Sequence, residues 1–339
     1  MINLKDNLRK QALSGPPSSM HVMNFLHAEL THTHLDDSLE SAYHYTDLNG
    51  FFNILQNREL WISNVNYLND RQELQDGITA CIGVIQDFLA QELDSRRKEF
   101  LYHLLSRIEK GESDGSWAVS QADVFAMSFC AGSDLLTQWR EYGVRGGIAI
   151  GFNIYQLQNE CRLAIVPNHR PQENGPPRSE ELDIPVLQKV VYDDLAKTEI
   201  IRHILSFGFE MLDHNDTPAA FHKICAEFSD VLLRYVPLFK NQSFFSEQEM
   251  RYVYTRSAAG GRDRTVHFRP RNGLILPFLK FRLLDREGHP LDTLPIQHII
   301  VGPCPQQKDL EDSIKYYLRN NGNPDLVYCV RRSAIPYRG

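Results

Sequence analysis

Six cysteines in 339 residues (Cys81, Cys130, Cys161, Cys225, Cys304 and Cys329) include no C-x-x-C pair. Neither a disulfide-stapled extracellular scaffold nor a zinc site of the paired-cysteine kind is expected from that scatter. No apolar run approaches the roughly 18 residues of a membrane helix. The opening MINLKDNLRKQALSG is charged and has no apolar stretch ahead of a small-residue cleavage site, so no secretory leader is expected. Together these absences point to a cytoplasmic location without contact to a membrane. Positive charge is also not in excess: 36 Lys and Arg face 43 Asp and Glu, a net −7. That balance argues against a general nucleic-acid coat and leaves room only for a local basic site. No G-x-S-x-G elbow, no internal repeat and no phosphate loop is present. Gly143, Gly146, Gly147 and Gly151 are followed by no Lys-Ser/Thr pair, and Arg145-Gly146-Gly147 reads as a turn into a buried strand.

What is present is ordinary globular material, 42% hydrophobic and 23% charged. Residues 1–40 read as a peripheral helical segment broken by Gly15-Pro16-Pro17. Short β-favouring runs follow at 41–46, 60–63, 124–130 and 147–152, then at 249–255, 274–284 and 296–301, with a last one at 326–331. Helical periodicity occupies 48–57, 71–110, 187–213, 217–239 and 308–320. Strands drawn from both halves with helices between them predict a single discontinuous α+β domain over 41–339. Its central sheet is expected to be mixed and largely antiparallel, with helical insertions near 71–110 and 187–239.

Three constellations invite chemistry. His32, His34, Asp36 and Asp37 lie within six residues, but no second cluster supplies further ligands at a recognisable spacing, so a solvated loop is expected and no metal. Arg251, Arg256, Arg262, Arg264, Arg269 and Arg271 stand against Asp263 alone, a local basic run in an acidic chain. Guanidiniums grip phosphates bidentately, so the run could hold a nucleotide or a nucleic acid, or it could be a solvated hairpin. The third set is spread over the chain: His44-Tyr45-Thr46, then Trp139, Arg140 and Tyr142, then Glu247, Glu249 and Arg251. On a strand Glu249 and Arg251 share a face, which fits a structural ion pair as well as it fits catalysis.

The ordered motifs YHYT, LWISNVNYLND, FAMSFC, LLTQWREYG, GIAIGF, FSEQEMR, RNGLILPFL, IIVGP and SAIPYR run from Tyr43 to Arg338. They resemble those of a bacterial family known as domain of unknown function 2971, although Met250 stands where that family usually has an aromatic residue. The layout also remotely resembles ADP-ribosyltransferases. That resemblance implies an ADP-ribosyltransferase-like fold and cleavage of the nicotinamide–ribose bond of NAD. The ADP-ribose would pass to a protein or nucleic-acid acceptor or to water, as in a toxin or phage-defence effector. It further implies Glu249 and Glu247 as catalytic carboxylates. His44, Tyr45, Thr46, Trp139, Arg140, Tyr142 and Arg251 would bind NAD. A carboxylate near the ribose would stabilise an oxocarbenium-like transition state. The alternative is a non-enzymatic module, or sensor, that binds nucleotide or nucleic acid through the arginine-rich 251–271 segment.

Overall fold

The computed structural model of the chain describes residues 2–14, 19–67, 71–109, 123–142, 146–168, 186–256, 265–271 and 273–336. In chain order these form α1 (Ile2–Leu13), α2 (Ser19–Glu29), β1 (Ser41–Thr46), α3 (Leu48–Asn57), β2 (Glu59–Asn64), α4 (Arg71–Gln91) and α5 (Ser95–Glu109). Next come β3 (Asp123–Cys130), α6 (Leu136–Tyr142), β4 (Ile148–Asn153), β5 (Arg162–Ile165), β6 (Leu187–Lys189), α7 (Asp194–Asp213) and α8 (Pro218–Tyr235). The chain closes with β7 (Glu249–Arg256), β8 (His267–Arg271), β9 (Leu274–Leu284), β10 (Ile296–Val301), α9 (Gln307–Asn320) and β11 (Val330–Arg332).

Local chemistry sets the helix starts. The Asp47 carboxylate accepts from the Gly50 N–H at 2.7 Å, and the Asp193 carboxylate accepts from the Ala196 N–H at 2.8 Å. Thr217 caps α8 through the Ala220 N–H, with Pro218 in the first turn where its missing donor costs nothing.

The strands join one sheet of eleven, ordered β11-β10-β4-β1-β3-β2-β9-β5, with β7 and β6 on the far edge of β3 and β8 on β9. Among the described strand pairs only β10–β11 is parallel, as the β10-α9-β11 crossover requires. The sheet is therefore mixed and largely antiparallel, as expected.

One irregularity positions everything that follows. Strand β7 pairs with the whole of β3, from Asp123↔Arg256 to Cys130↔Glu249. The other edge of β3 is shared: β1 meets it at Cys130, and β2 meets it at Ala126 and Phe125. Between those contacts, no strand pairs with that edge among the described residues. A notch therefore opens at Ser128 between two half-sheets.

Residues directly opposite in a ladder share a face, so registers sort the side chains. One face carries Ala42, Phe125, Phe129, Ile150, Phe152, Tyr252 and Phe281, sealed by α3 and α9 through Phe51, Ile54, Ile314 and Leu318. Val124, Ala126 and Val253 of the opposite face lie under a helical layer from α2, α4, α5, α7 and α8. In that layer Leu26, Phe100, Ile201, Phe228 and Leu232 are fully buried. Each such side chain is worth about 1.5–3 kcal/mol of burial.

Two sequence expectations are corrected here. The N-terminal segment is not merely peripheral, since α2 sends Val22, Phe25 and Leu26 into the helical core. Residues 326–331 do not form a strand; Pro324–Cys329 is a 3-10 turn, and pairing begins only at Val330.

Candidate functional site

At the start of β7, alternation puts Glu249 and Arg251 on the face that carries Cys130 and Ser128. Arg251 grips Glu249 in a fork, Nε to Oε1 at 2.6 Å and Nη2 to Oε2 at 2.8 Å, and its Nη1 donates to the Pro237 carbonyl. Lys240 arrives from the segment after α8 and donates to Glu249 at 3.1 Å and to Glu247 at 2.7 Å. The Glu249 N–H donates to the Tyr192 hydroxyl. Glu249, Arg251 and Lys240 are only 5%, 4% and 3% exposed. Burial alone would raise the Glu249 carboxyl. The charges of Arg251 and Lys240, with hydrogen bonds from Arg251 and Ser128, instead hold it at about 2. It is a satisfied anion in a sealed, charge-balanced cluster.

Apart from Arg251, the expected NAD-binding residues are placed elsewhere. Tyr43 faces Cys130, so its neighbour His44 points to the opposite face, with its ring 5.7 Å from Phe129. His44 Nδ1 lies 2.9 Å from the Ser128 carbonyl, inside the notch. Tyr45 shares the face of Glu249 but is committed to packing. Its hydroxyl donates to the Gly132 carbonyl and accepts from the Leu135 N–H, and its ring meets Trp139 edge-on at 4.8 Å. Trp139 is buried and donates to Asp134 at 2.6 Å. Asp134 also accepts from Ser333 and Ala334, which ties α6 to the end of the chain. Tyr142 packs beside this group, Arg140 is exposed on α6, and Thr46 is half-buried at the end of β1.

His44 and Tyr142, expected to bind NAD, and Glu249, expected to act on it, are therefore not brought into one pocket among the described residues. The sheet separates the imidazole from the acid, and the acid has no described opening to solvent. The physical reason is strand parity: the Tyr43↔Cys130↔Glu249 register puts odd-numbered β1 residues, not His44, on the acid's side.

The histidine loop resolves into separate contacts. His32 pairs with Glu199 at 3.0 Å, Asp36 with Lys189 at 2.8 Å, and His34 Nε2 bonds the His27 carbonyl at 2.5 Å. No group of three or more metal-ligating side chains occurs among the described residues. His27 itself is mostly buried, with Nδ1 unpartnered among the described residues, and burial followed by the nearby His34 lowers it to about 4.

Of the arginine run, Arg262 and Arg264 lie outside the described residues, as do the side chains of Arg256 and Arg271. Arg251 belongs to the buried cluster. Arg269 leads to a site that sequence reasoning missed. On the face shared with Ser128, the registers Glu59↔Arg282, Trp61↔Lys280, Ser63↔Phe278 and His267↔Phe278 bring β2, β9 and β8 together. The Arg269 guanidinium lies 5.4 Å from the Trp61 ring centre and 5.2 Å from that of Phe278, and donates to the Ser63 hydroxyl at 3.0 Å. The Lys280 ammonium lies 5.3 Å from Trp61. Glu59 is buried and takes Arg282 at 2.8 Å and Lys280 at 3.6 Å. The Lys280 and Arg282 side chains are 24% and 41% exposed. Two cations, Lys280 and Arg282, thus meet the Glu59 carboxylate on a partly exposed surface, and Arg269 and Lys280 lie over aromatic rings. The one available signal was the alternation of LWIS and PFLKFRL, which puts Trp61 on one face of its strand and Phe278, Lys280 and Arg282 on one face of theirs.

Residues 138–252, about a third of the chain, match the model of a protein family described as a protein of unknown function (DUF2971). That stretch holds Trp139, Arg140, Tyr142, Glu247, Glu249 and Arg251, and it leaves out His44 and the Trp61 face. No curated protein and no solved structure matches the chain.

Proposed function

We propose that the chain is a binding module for phosphate-bearing ligands, which it takes on the half-open face of β2, β8 and β9. The carrying observation is the stack of Arg269 and Lys280 over Trp61, with Arg282 alongside and Glu59 as the only carboxylate among the named side chains. Guanidiniums held by rings and a neighbouring hydroxyl lose little further freedom on meeting a phosphate oxygen. A net positive surface in a chain of net −7 is also a place where an anion is attracted rather than repelled. This reading is tested by thermal melting of the full chain with inorganic pyrophosphate, NAD or an oligonucleotide. The expected result is a rise in melting temperature at low salt that Arg269→Gln with Lys280→Gln removes. No rise with any of the three probes refutes it.

A second reading keeps NAD cleavage, and one observation favours it. Ser128 lies at the notch between the half-sheets, its carbonyl beside His44 on one side and its hydroxyl bonded to Glu249 on the other. Imidazole and acid are therefore one strand's thickness apart, and NAD would reach both if the notch widened. In this reading Glu249 and Glu247 stabilise the ribosyl cation, and the acceptor is a macromolecule or water. It expects release of nicotinamide from NAD by the wild-type chain and its loss in Glu247→Gln and His44→Ala. Equal release by all three proteins would defeat it.

A further inference from the structure

Four side chains of the open face stand in a square. The registers Glu59↔Arg282 and Trp61↔Lys280 set each pair opposite across β2 and β9, and alternation puts both pairs on one face. Opposite side chains are about 5 Å apart at Cβ, and the two pairs are about 7 Å apart along the strands. So small a square suits one phosphoryl group and the few atoms attached to it. Arg269 is already held by the Ser63 hydroxyl and by the Trp61 and Phe278 rings, so the cations of the square are Lys280 and Arg282.

Two polar atoms of the square are left unanswered. Glu59 is 4% exposed, and its Oε1 accepts from Arg282 at 2.8 Å. Its Oε2 is buried and has no hydrogen-bond partner among the described residues, with the Lys280 ammonium 3.6 Å away. The indole Nε1–H of Trp61 is likewise buried and lacks an acceptor among the described residues. Buried polar atoms are nearly always bonded, so an orphaned acceptor and an orphaned donor on one strand face call for a group from outside the chain. Such a group must accept from the indole and donate to the carboxylate. A hydroxyl does both, whereas a fully ionised phosphate only accepts.

The cations impose the same requirement by another route. Lys280 and Arg282, 24% and 41% exposed at the side chain, can turn toward a phosphate, yet they are also the partners of Glu59. A ligand that is phosphate alone draws them away and leaves a buried carboxylate poorly answered, which offsets the gain. A ligand with a hydroxyl beside its phosphate answers Glu59 in the same step, and the orphaned atoms become reachable as the two long side chains turn outward.

We infer that the ligand of this face is a phosphate ester that carries free hydroxyls, a sugar phosphate. Its phosphate sits on Lys280 and Arg282, and a hydroxyl sits between Glu59 and the Trp61 indole. The inference rests on the phosphate-binding reading above and adds the hydroxyl to it.

The test compares phosphate esters of equal charge. The full-length chain is titrated calorimetrically at low salt with propyl phosphate, which has no hydroxyl, and with glycerol phosphate and ribose phosphate. The wild-type chain should bind the two hydroxylated esters about tenfold or more tightly than propyl phosphate, the difference that one hydrogen bond to a charged group makes. Glu59→Gln should bring that ratio down toward unity and tighten propyl phosphate. Trp61→Phe, which keeps an aromatic ring and removes the N–H, should lower the ratio without that tightening. Thermal melts establish that the variants are folded, and Trp61→Phe carries the test alone should Glu59→Gln not fold.

Equal affinity of the wild type for all three esters, as expected if water alone fills the corner, would overturn the hydroxyl inference and leave the phosphate-binding reading standing. A wild-type preference that the variants keep in full would also overturn it, because the hydroxyls would then be read elsewhere. Absence of binding by any of the three esters would overturn both.

Discussion

The cluster at the start of β7 sets two carboxylates, Glu247 and Glu249, against two cations, Lys240 and Arg251. The cluster on β2, β8 and β9 sets one carboxylate, Glu59, against Lys280, Arg282 and Arg269. Both are built on the same face of the same sheet, the first from residues within 240–251 and the second from Glu59 and a distant part of the chain. They differ in balance and in closure. The first is neutral and sealed, with every named charge answered at hydrogen-bond distance. The second holds more cations than carboxylates among its named side chains, and Lys280 and Arg282 stay partly open to water. A buried charge survives only when it is answered within the protein, whereas an exposed excess invites an answer from outside. Glu249, which sequence motifs single out for catalysis, sits in the first cluster. The sheet therefore uses it as a tie between β7 and the segment that follows α8.

The comparison breaks most decisively at Glu249. Replacing it with Ala takes from the buried Arg251 the carboxylate it forks and leaves Lys240 with Glu247, and stability should fall by about 3–5 kcal/mol in denaturant unfolding. Pairing it with Arg251→Ala should recover part of that loss, because the buried guanidinium leaves together with its carboxylate. A change under about 1 kcal/mol would mean the cluster is open to water after all. Acid provides a second view of the same tie. Glu249 is depressed from 4.5 to about 2, so its contribution is fully present above pH 4.5 and is lost as pH falls toward 2. Glu249→Gln should flatten the stability curve in that window and leave it unchanged near neutrality apart from a constant offset. An equal slope in variant and wild type would remove the electrostatic account.

His27 offers a smaller effect of a related kind in the helical layer. Its folded value lies near 4, below the ordinary 6.5, because burial disfavours the charged ring and His34 adds to this. The unfolded chain therefore takes up the proton first, and stability should decline as pH falls from 6.5 through 4. His27→Gln should remove that decline when thermal melts are compared at pH 7 and pH 5. A melt difference identical to that of the wild type would refute it.

How much of this was legible follows from range. The strand Leu274–Leu284 announces itself by local alternation and the helix Asp194–Asp213 by periodicity, although the helix expected from 187 begins only after the Asp193 cap, with strand β6 at Leu187–Lys189 before it. The strands β5, β6 and β8 are three to five residues long, too short for a period to show, and β8 contains Pro270. The Glu249–Arg251 fork could be read from two-residue spacing, but Lys240 could not, because it reaches the pair from an irregular segment. Which side of the sheet His44 occupies depends on the register of β1 against β3, a pairing across more than eighty residues that no local pattern encodes. Trp61 and Lys280 meet across a still longer separation, so the half-open face was invisible until the strands were paired.

The smallest expected effect sharpens the contrast from the open side. Glu59→Gln removes the carboxylate that answers Arg282 and Lys280, yet both cations can turn to water, so stability should drop by only about 1 kcal/mol. Anion binding should move the other way. With Glu59 neutral, the face gains one net positive charge where an incoming phosphate would sit, and oligonucleotide affinity at low salt should rise several-fold. The rise should fade at high salt, since screened charges a few ångströms apart interact weakly through water. In the sealed cluster the same kind of substitution can only subtract. A loss of affinity in Glu59→Gln would mean that this carboxylate positions Arg282 and Lys280 for the ligand, and would put geometry ahead of net charge on the open face too.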